Sequence, residues 1–90
     1  MLKPVFTKHF RKQYKLMKRR GLDINKLQNV IDMITYEQPL PPECQNHPLH
    51  GEYKGKLECH VESDWLLIYA IDQLIKEVIF YRTGSHSDLF

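Results

Sequence analysis

The stretch Leu57-Glu58-Cys59-His60-Val61-Glu62-Ser63-Asp64-Trp65-Leu66-Leu67-Ile68-Tyr69-Ala70-Ile71 decides the fold. Its first part has a period of two. Leu57, Cys59 and Val61 alternate with Glu58, His60 and Glu62, the pattern of a strand that buries one face. Ser63 and Asp64 turn the chain. The seven residues from Trp65 to Ile71 are apolar at both parities, as in a central strand covered on each side. Asp72 and Gln73 make another tight turn, a third strand runs through Glu77 to Arg82, and Gly84 ends it. Three strands joined by such short turns predict an antiparallel meander.

Upstream of the meander, Gln38 to Gly55 contains Pro39, Pro41, Pro42, Pro48, Gly51 and Gly55, which predicts one long irregular loop. Loops of this length in a small domain usually carry function. Before it, the period is helical. Thr7 can cap a helix over about residues 8–20 whose apolar face is Phe10, Tyr14 and Met17, with Gly21 as its stop. Asp23 can cap a second helix with Ile24, Leu27, Ile31 and Ile34 as its buried stripe and Val30 at the margin. Leu2 to Phe6 reads as a short extended start. The order is β-α-α-β-β-β, an α+β domain in which a four-stranded, mainly antiparallel sheet is packed by an N-terminal helix hairpin.

The chain has 90 residues, 42% hydrophobic and 27% charged, enough for one domain spanning 1–90 and one modest core. No apolar run approaches the length of a membrane span and no signal-peptide pattern follows Met1, so a cytoplasmic protein is expected. Cys44 and Cys59 are therefore expected to stay reduced. The net charge of +2 hides an asymmetry: residues 1–20 hold eight of the thirteen basic residues and none of the eleven acids, leaving −6 for the remainder. A segment that basic can be a solvated helix face, or can gather phosphates or an acidic protein segment.

Five histidines are spread over the chain at positions 9, 47, 50, 60 and 86. Imidazole suits proton transfer, metal ligation or phosphate contact. Cys44-x2-His47-x2-His50 is not a usual structural zinc spacing, and the adjacent strand residues Cys59 and His60 point to opposite faces, so no metal site and no cofactor are expected. His60 shares the polar parity of its strand, Asp64 stands at the adjoining turn, and Arg82 and His86 lie at the end of another strand. A meander can bring these four into one pocket.

Three segments together carry a resemblance: Asn46-His47-Pro48-Leu49-His50-Gly51, His60-Val61-Glu62-Ser63-Asp64-Trp65-Leu66-Leu67-Ile68-Tyr69, and Arg82-Thr83-Gly84-Ser85-His86-Ser87-Asp88-Leu89-Phe90. They resemble the YafQ branch of the RelE/ParE superfamily, the toxin halves of bacterial type II toxin–antitoxin pairs. The resemblance covers nearly the whole chain. It implies a RelE-like fold and a ribosome-dependent endoribonuclease, an mRNA interferase that cuts messenger RNA in the ribosomal A site and so inhibits translation. It also implies silencing by a cognate DinJ/RelB-like antitoxin, through which the complex binds operator DNA. The family's active-site positions fall on His47, His60, Asp64 and His86, with its terminal aromatic on Phe90. Many relatives have an arginine shortly before the strand histidine where this chain has Leu57, so the phosphate grip falls to Arg82 or to Lys54 and Lys56.

The residues suit that chemistry in their own right. RNA is cut by its own 2′-hydroxyl when a base removes the hydroxyl proton, an acid protonates the departing 5′-oxygen and cations steady the phosphorane, with no metal required. His86 is then one proton-transfer group, His60 or His47 the other, Asp64 fixes a tautomer and Arg82 clamps phosphate. Which ring is base and which is acid stays open in the sequence. Two rivals carry different expectations: a ParE-like gyrase-inhibiting toxin needs no paired imidazoles, and a noncatalytic RNA-binding module built on the basic helix with Tyr53, Tyr69 and Tyr81 would tolerate loss of His86.

Overall fold

A computed structural model describes Met1–Phe90. Strand β1 (Lys3–Phe6) leads into helices α1 (Lys8–Arg19) and α2 (Ile24–Thr35). The two-residue strand β2 (His47–Pro48) follows, then β3 (Leu57–Glu62), β4 (Trp65–Asp72), β5 (Glu77–Gly84) and a last short helix α3 (His86–Leu89). The sheet runs β1-β5-β4-β3-β2, with β1 parallel to β5 and every other pair antiparallel.

Local signals set the helix ends. The Phe10 amide donates to the Thr7 hydroxyl at 3.0 Å, and the Asn25 amide to the Asp23 carboxylate at 3.1 Å, so each cap satisfies an otherwise orphaned backbone donor. Lys18 and Arg19 in the last turn of α1 complement the negative end of its dipole. Gly21 takes φ +82°, a left-handed conformation that lets the chain reverse into α2.

The meander turns alternate residues to opposite sides. Trp65, Leu67 and Tyr69 of β4 join Phe10, Met17, Leu27 and Ile31 in the main core beneath the helices. Leu66 and Ile68 point the other way and form a smaller cluster with Leu89, flanked by Leu49, Tyr53 and Tyr81. Strand β4 is thus buried on both faces, as its apolar run implies, but the second face is covered only by the loop and α3. One buried hydroxyl ties the layers: the Trp65 indole donates to Thr83 Oγ1 at 3.0 Å, Thr83 Oγ1 donates to the Leu66 carbonyl at 2.8 Å, and the Thr83 amide donates to Gln13 at 3.1 Å.

The structure departs from the sequence expectation in the loop and the tail. The sheet has five strands, because His47 and Pro48 pair with Glu58 and Leu57; two residues are too few to show alternation, and proline is tolerated at an edge. The supposedly irregular loop is organised by 3-10 turns at Pro42–Cys44 and Gly51–Tyr53, by the buried Cys44 side chain and by a 2.7 Å bond from the Tyr69 hydroxyl to Asn46. Beyond Gly84 the chain is not a free tail. Ser85 and Asp88 form a capping box that starts α3.

Candidate active site

Helix α3 presents His86 at its first position. The Asp64 carboxylate, at the β3–β4 turn, accepts from the His86 backbone N–H at 3.0 Å and pairs with His86 Nδ1 at 2.8 Å through the same oxygen. These bonds, the backbone N–H first, hold the Asp64 carboxyl below the usual carboxylate range. A carboxylate only accepts, so Nδ1 carries the proton and the other ring nitrogen, Nε2, is left free. His60 is arranged alike: its Nδ1 donates to the Ser63 carbonyl at 3.2 Å, leaving Nε2 free. The two ring centroids stand 6.2 Å apart.

His47 lies on the same sheet face, directly across from Glu58, which is two residues before His60. Its Nδ1 donates to the Gln45 carbonyl at 2.6 Å, and its Nε2 lies 3.4 Å from a Glu58 carboxylate oxygen. That carboxylate is almost fully withdrawn from water, with its side chain 6% exposed.

Phe90 is exposed, 6.3 Å from the His86 ring and edge-on to Tyr53 at 5.6 Å. Arg82 is turned to this wall: Nη1 donates to the Tyr53 hydroxyl at 3.0 Å, Nη2 donates to the Asp88 carbonyl at 3.2 Å, and its buried Nε has no partner. Lys56 places its ammonium 4.6 Å above the Tyr81 ring, and Lys54 is exposed at the end of the Gly51–Tyr53 turn. Thus His60, Asp64, His86 and Phe90 form one contiguous cluster with Arg82 behind it. His47 joins along the sheet face, Lys56 stands beyond Tyr53, and Lys54 makes no bond to the group.

Three supporting residues, Glu58, Arg20 and Asp88, have no site role in the sequence reading, and Tyr53 enters it only as an RNA contact of the noncatalytic alternative. Tyr53 links Phe90 to Arg82. Glu58 was legible only as a polar-parity residue, and its burial arises because the edge strand β2 covers it. Arg20, at the end of α1, grips Asp88 with both guanidinium nitrogens at 2.7 and 2.9 Å. With the Ser85 N–H as second cause, this pair holds the Asp88 carboxyl far below the usual range. The Ser85-x-x-Asp88 spacing was the available signal for α3. Cys44 and Cys59 are free and buried; desolvation pushes the Cys59 thiol up to about 12, so it offers neither nucleophile nor ready metal ligand. No three His, Cys, Asp or Glu side chains are gathered for a metal ion.

A groove of about 420 Å³ opens between Phe6, Phe10, Arg11, Tyr14, Lys15, Gln28 and Ile31, on the helix side and away from the imidazoles. Beside the rings, a cavity of about 370 Å³ runs between His60–Ser63 and Glu43–Gln45. His60 is its one imidazole.

Residues 2–90 match the family model described as the bacterial toxin of type II toxin–antitoxin systems, YafQ. The chain is 40% identical over 87 residues to the mRNA interferase toxin YafQ of Escherichia coli, covering 94% of this chain and 91% of that protein. The crystal structure of Escherichia coli YafQ superposes with a TM-score of 0.93 at 35% identity over 100% of this chain and 99% of the other. A chain in the crystal structure of the Escherichia coli DinJ–YafQ toxin–antitoxin complex gives a TM-score of 0.89 at 37% identity over 99% and 97%. With the whole fold and sequence shared, the chain belongs to the YafQ toxin family of type II toxin–antitoxin systems, within the RelE/ParE superfamily.

Proposed function

We propose that this chain is a ribosome-dependent mRNA endoribonuclease that inhibits translation and is neutralised by a DinJ-like antitoxin. The observation that carries the reading is the pair of imidazoles, His60 and His86, 6.2 Å apart, each with Nδ1 committed to a protein acceptor and Nε2 free. His86 Nε2 takes the 2′-hydroxyl proton, and Asp64 stabilises the imidazolium that results. The 2′-oxygen attacks phosphorus and the bond to the 5′-oxygen breaks. His60, in its protonated form, gives that oxygen a proton from Nε2, leaving a 2′,3′-cyclic phosphate and a 5′-hydroxyl. Arg82 brings positive charge toward the phosphorane oxygens, with Lys54 and Lys56 at the edge and His47 beside them along the sheet face.

The domain has a shallow site, and the A site supplies a codon already held in place. The basic face of α1 then contacts ribosomal RNA phosphates. The DinJ–YafQ complex of Escherichia coli supports an antitoxin partner here, with the basic-rimmed groove around Arg11 and Lys15 suited to an acidic segment and operator DNA bound through the antitoxin. No helix is long and apolar enough to cross a membrane, in keeping with action among cytoplasmic ribosomes.

Purified protein with programmed ribosomes tests the reading. Cleavage should require the 2′-hydroxyl at the cut, yield a cyclic phosphate and leave DNA supercoiling by gyrase untouched. His86→Gln should lose about 10²–10⁴ in rate while keeping its fold. Full cleavage by the folded variant, or cleavage at a 2′-deoxy position, would overturn it.

A further inference from the structure

On the far side of the Tyr53–Phe90 wall, a cleft of about 190 Å³ is lined by Thr7, His9, Tyr53, Lys56, Tyr81 and Arg82. We propose that this cleft binds one nucleotide of the messenger strand flanking the scissile phosphate, a site distinct from the imidazole pair. The inference rests on the nuclease reading above and adds the place where the strand is held.

Three observations converge on a nucleotide whose base enters the apolar recess while its phosphate stays at the rim. Two tyrosine rings line a small recess, and every nucleobase has a face to lay against such a ring. The cations around it have no acidic partner: Lys56 rests on the Tyr81 ring, and Arg82 bonds only a phenol oxygen and a peptide carbonyl. Finally, α1 begins at this rim with no acid in its first turn, so its unneutralised positive end adds to the same potential.

The position also fits. His86 neighbours Phe90, Phe90 neighbours Tyr53, and Tyr53 bonds Arg82, so the recess is two aromatic rings from the reacting phosphate. A strand cut at His86 has its next nucleotide at this wall. The base enters against Tyr81 and Tyr53, displacing the Lys56 ammonium toward the adjoining phosphate.

The test is a double-mutant cycle on programmed ribosomes. Messengers carry an abasic residue at the nucleotide before or after the cut, and are cleaved by the wild-type toxin, by Tyr81→Leu, which keeps apolar bulk against Leu66 and Ile68, and by Lys56→Gln at the rim. Wild-type cleavage of intact messenger is the control; its failure would remove the nuclease reading itself. At one of the two positions, loss of the base should cost the wild type about tenfold in kcat/KM and cost Tyr81→Leu almost nothing, because the partner is already gone. Lys56→Gln should raise KM and flatten its salt dependence. If abasic and protein changes simply multiply at both positions, with each variant folded by thermal unfolding, the cleft holds no messenger nucleotide.

Discussion

Replacing Thr83 by valine removes one hydroxyl from the middle of the protein without changing its shape. Thr83 is completely buried, and its Oγ1 accepts from the Trp65 indole while donating to the Leu66 carbonyl. Trp65 is only 2% exposed, so after the change its N–H faces apolar carbon with no route to water. An unsatisfied buried donor costs about 1–3 kcal/mol, and the lost donation to Leu66 about 0.5–1.5 more. The sum, about 1.5–4.5 kcal/mol, is a large part of the roughly 5–15 kcal/mol that holds a domain of this size folded. At about 4–8 °C per kcal/mol the midpoint should fall by on the order of 10–30 °C. Urea unfolding followed by the emission of Trp65, the single tryptophan, reads this directly. Thr83→Ser separates hydroxyl from methyl: it keeps both bonds and should lose only about 1 kcal/mol. A valine variant as stable as the serine variant would show that the hydroxyl does not carry the load assigned to it.

Three further outcomes follow from the same contacts. Asp64→Asn, which keeps the size of the side chain but removes the charge behind His86, should lower cleavage by about 10²-fold or more while ribosome binding stays near normal; an unchanged single-turnover rate would remove Asp64 from the proton-transfer unit. Asp64 and Asp88 have folded values below their unfolded ones, so their stabilisation is complete above the ordinary carboxylate value of about 4 and is lost as pH falls below it toward the depressed folded values. Urea midpoints measured from pH 6 to 2.5 should therefore drop more steeply for the wild type than for Asp88→Asn, and parallel curves would contradict the linkage. Cys59, with its thiol pushed up to about 12 and no exposed surface, should resist thiol reagents at pH 8 until the chain unfolds; rapid native labelling there would mean that β3 opens far more easily than its packing implies.

The sequence exposed the framework because the framework is written in periodicity and caps. Thr7 and Asp23 cap where their residue types imply, and β3, β4 and β5 follow the alternation, the double-parity run and the turns. What escaped is non-periodic. Strand β2 has two residues, α3 has four, and the Pro-rich loop is ordered by tertiary partners, Tyr69 with Asn46 and Cys44 in the core, that no local window contains. The same division holds at the site. The histidines and Asp64 were legible as residue types and Asp64 as a turn neighbour, but their geometry depends on α3 docking. The sequence implies a phosphate clamp at Arg82, whereas its two terminal nitrogens are committed to Tyr53 and Asp88. Its charge acts from behind the wall it supports.

That wall explains how so small a domain fixes the His86 ring. A four-residue helix has no stability of its own, since nucleation costs more than its few hydrogen bonds return. His86 is therefore positioned entirely by what α3 is tied to: Asp64 at its first residue, Arg20 and Ser85 through the Asp88 side chain, Arg82 at the Asp88 carbonyl, and Leu89 packed on Leu66 and Ile68. Gly84 makes the approach possible. A Cβ there would stand 2.8 Å from the Asp88 Cβ, closer than carbon atoms tolerate, so any side chain at Gly84 must push α3 away from the sheet. The ties come from α1, the β3–β4 turn and β5, elements far apart in sequence, so the imidazole pair assembles only when the whole sheet has closed. The arrangement of the proposed imidazole pair is thereby a property of global folding rather than of any segment, and a partly folded chain holds its histidines without holding their geometry.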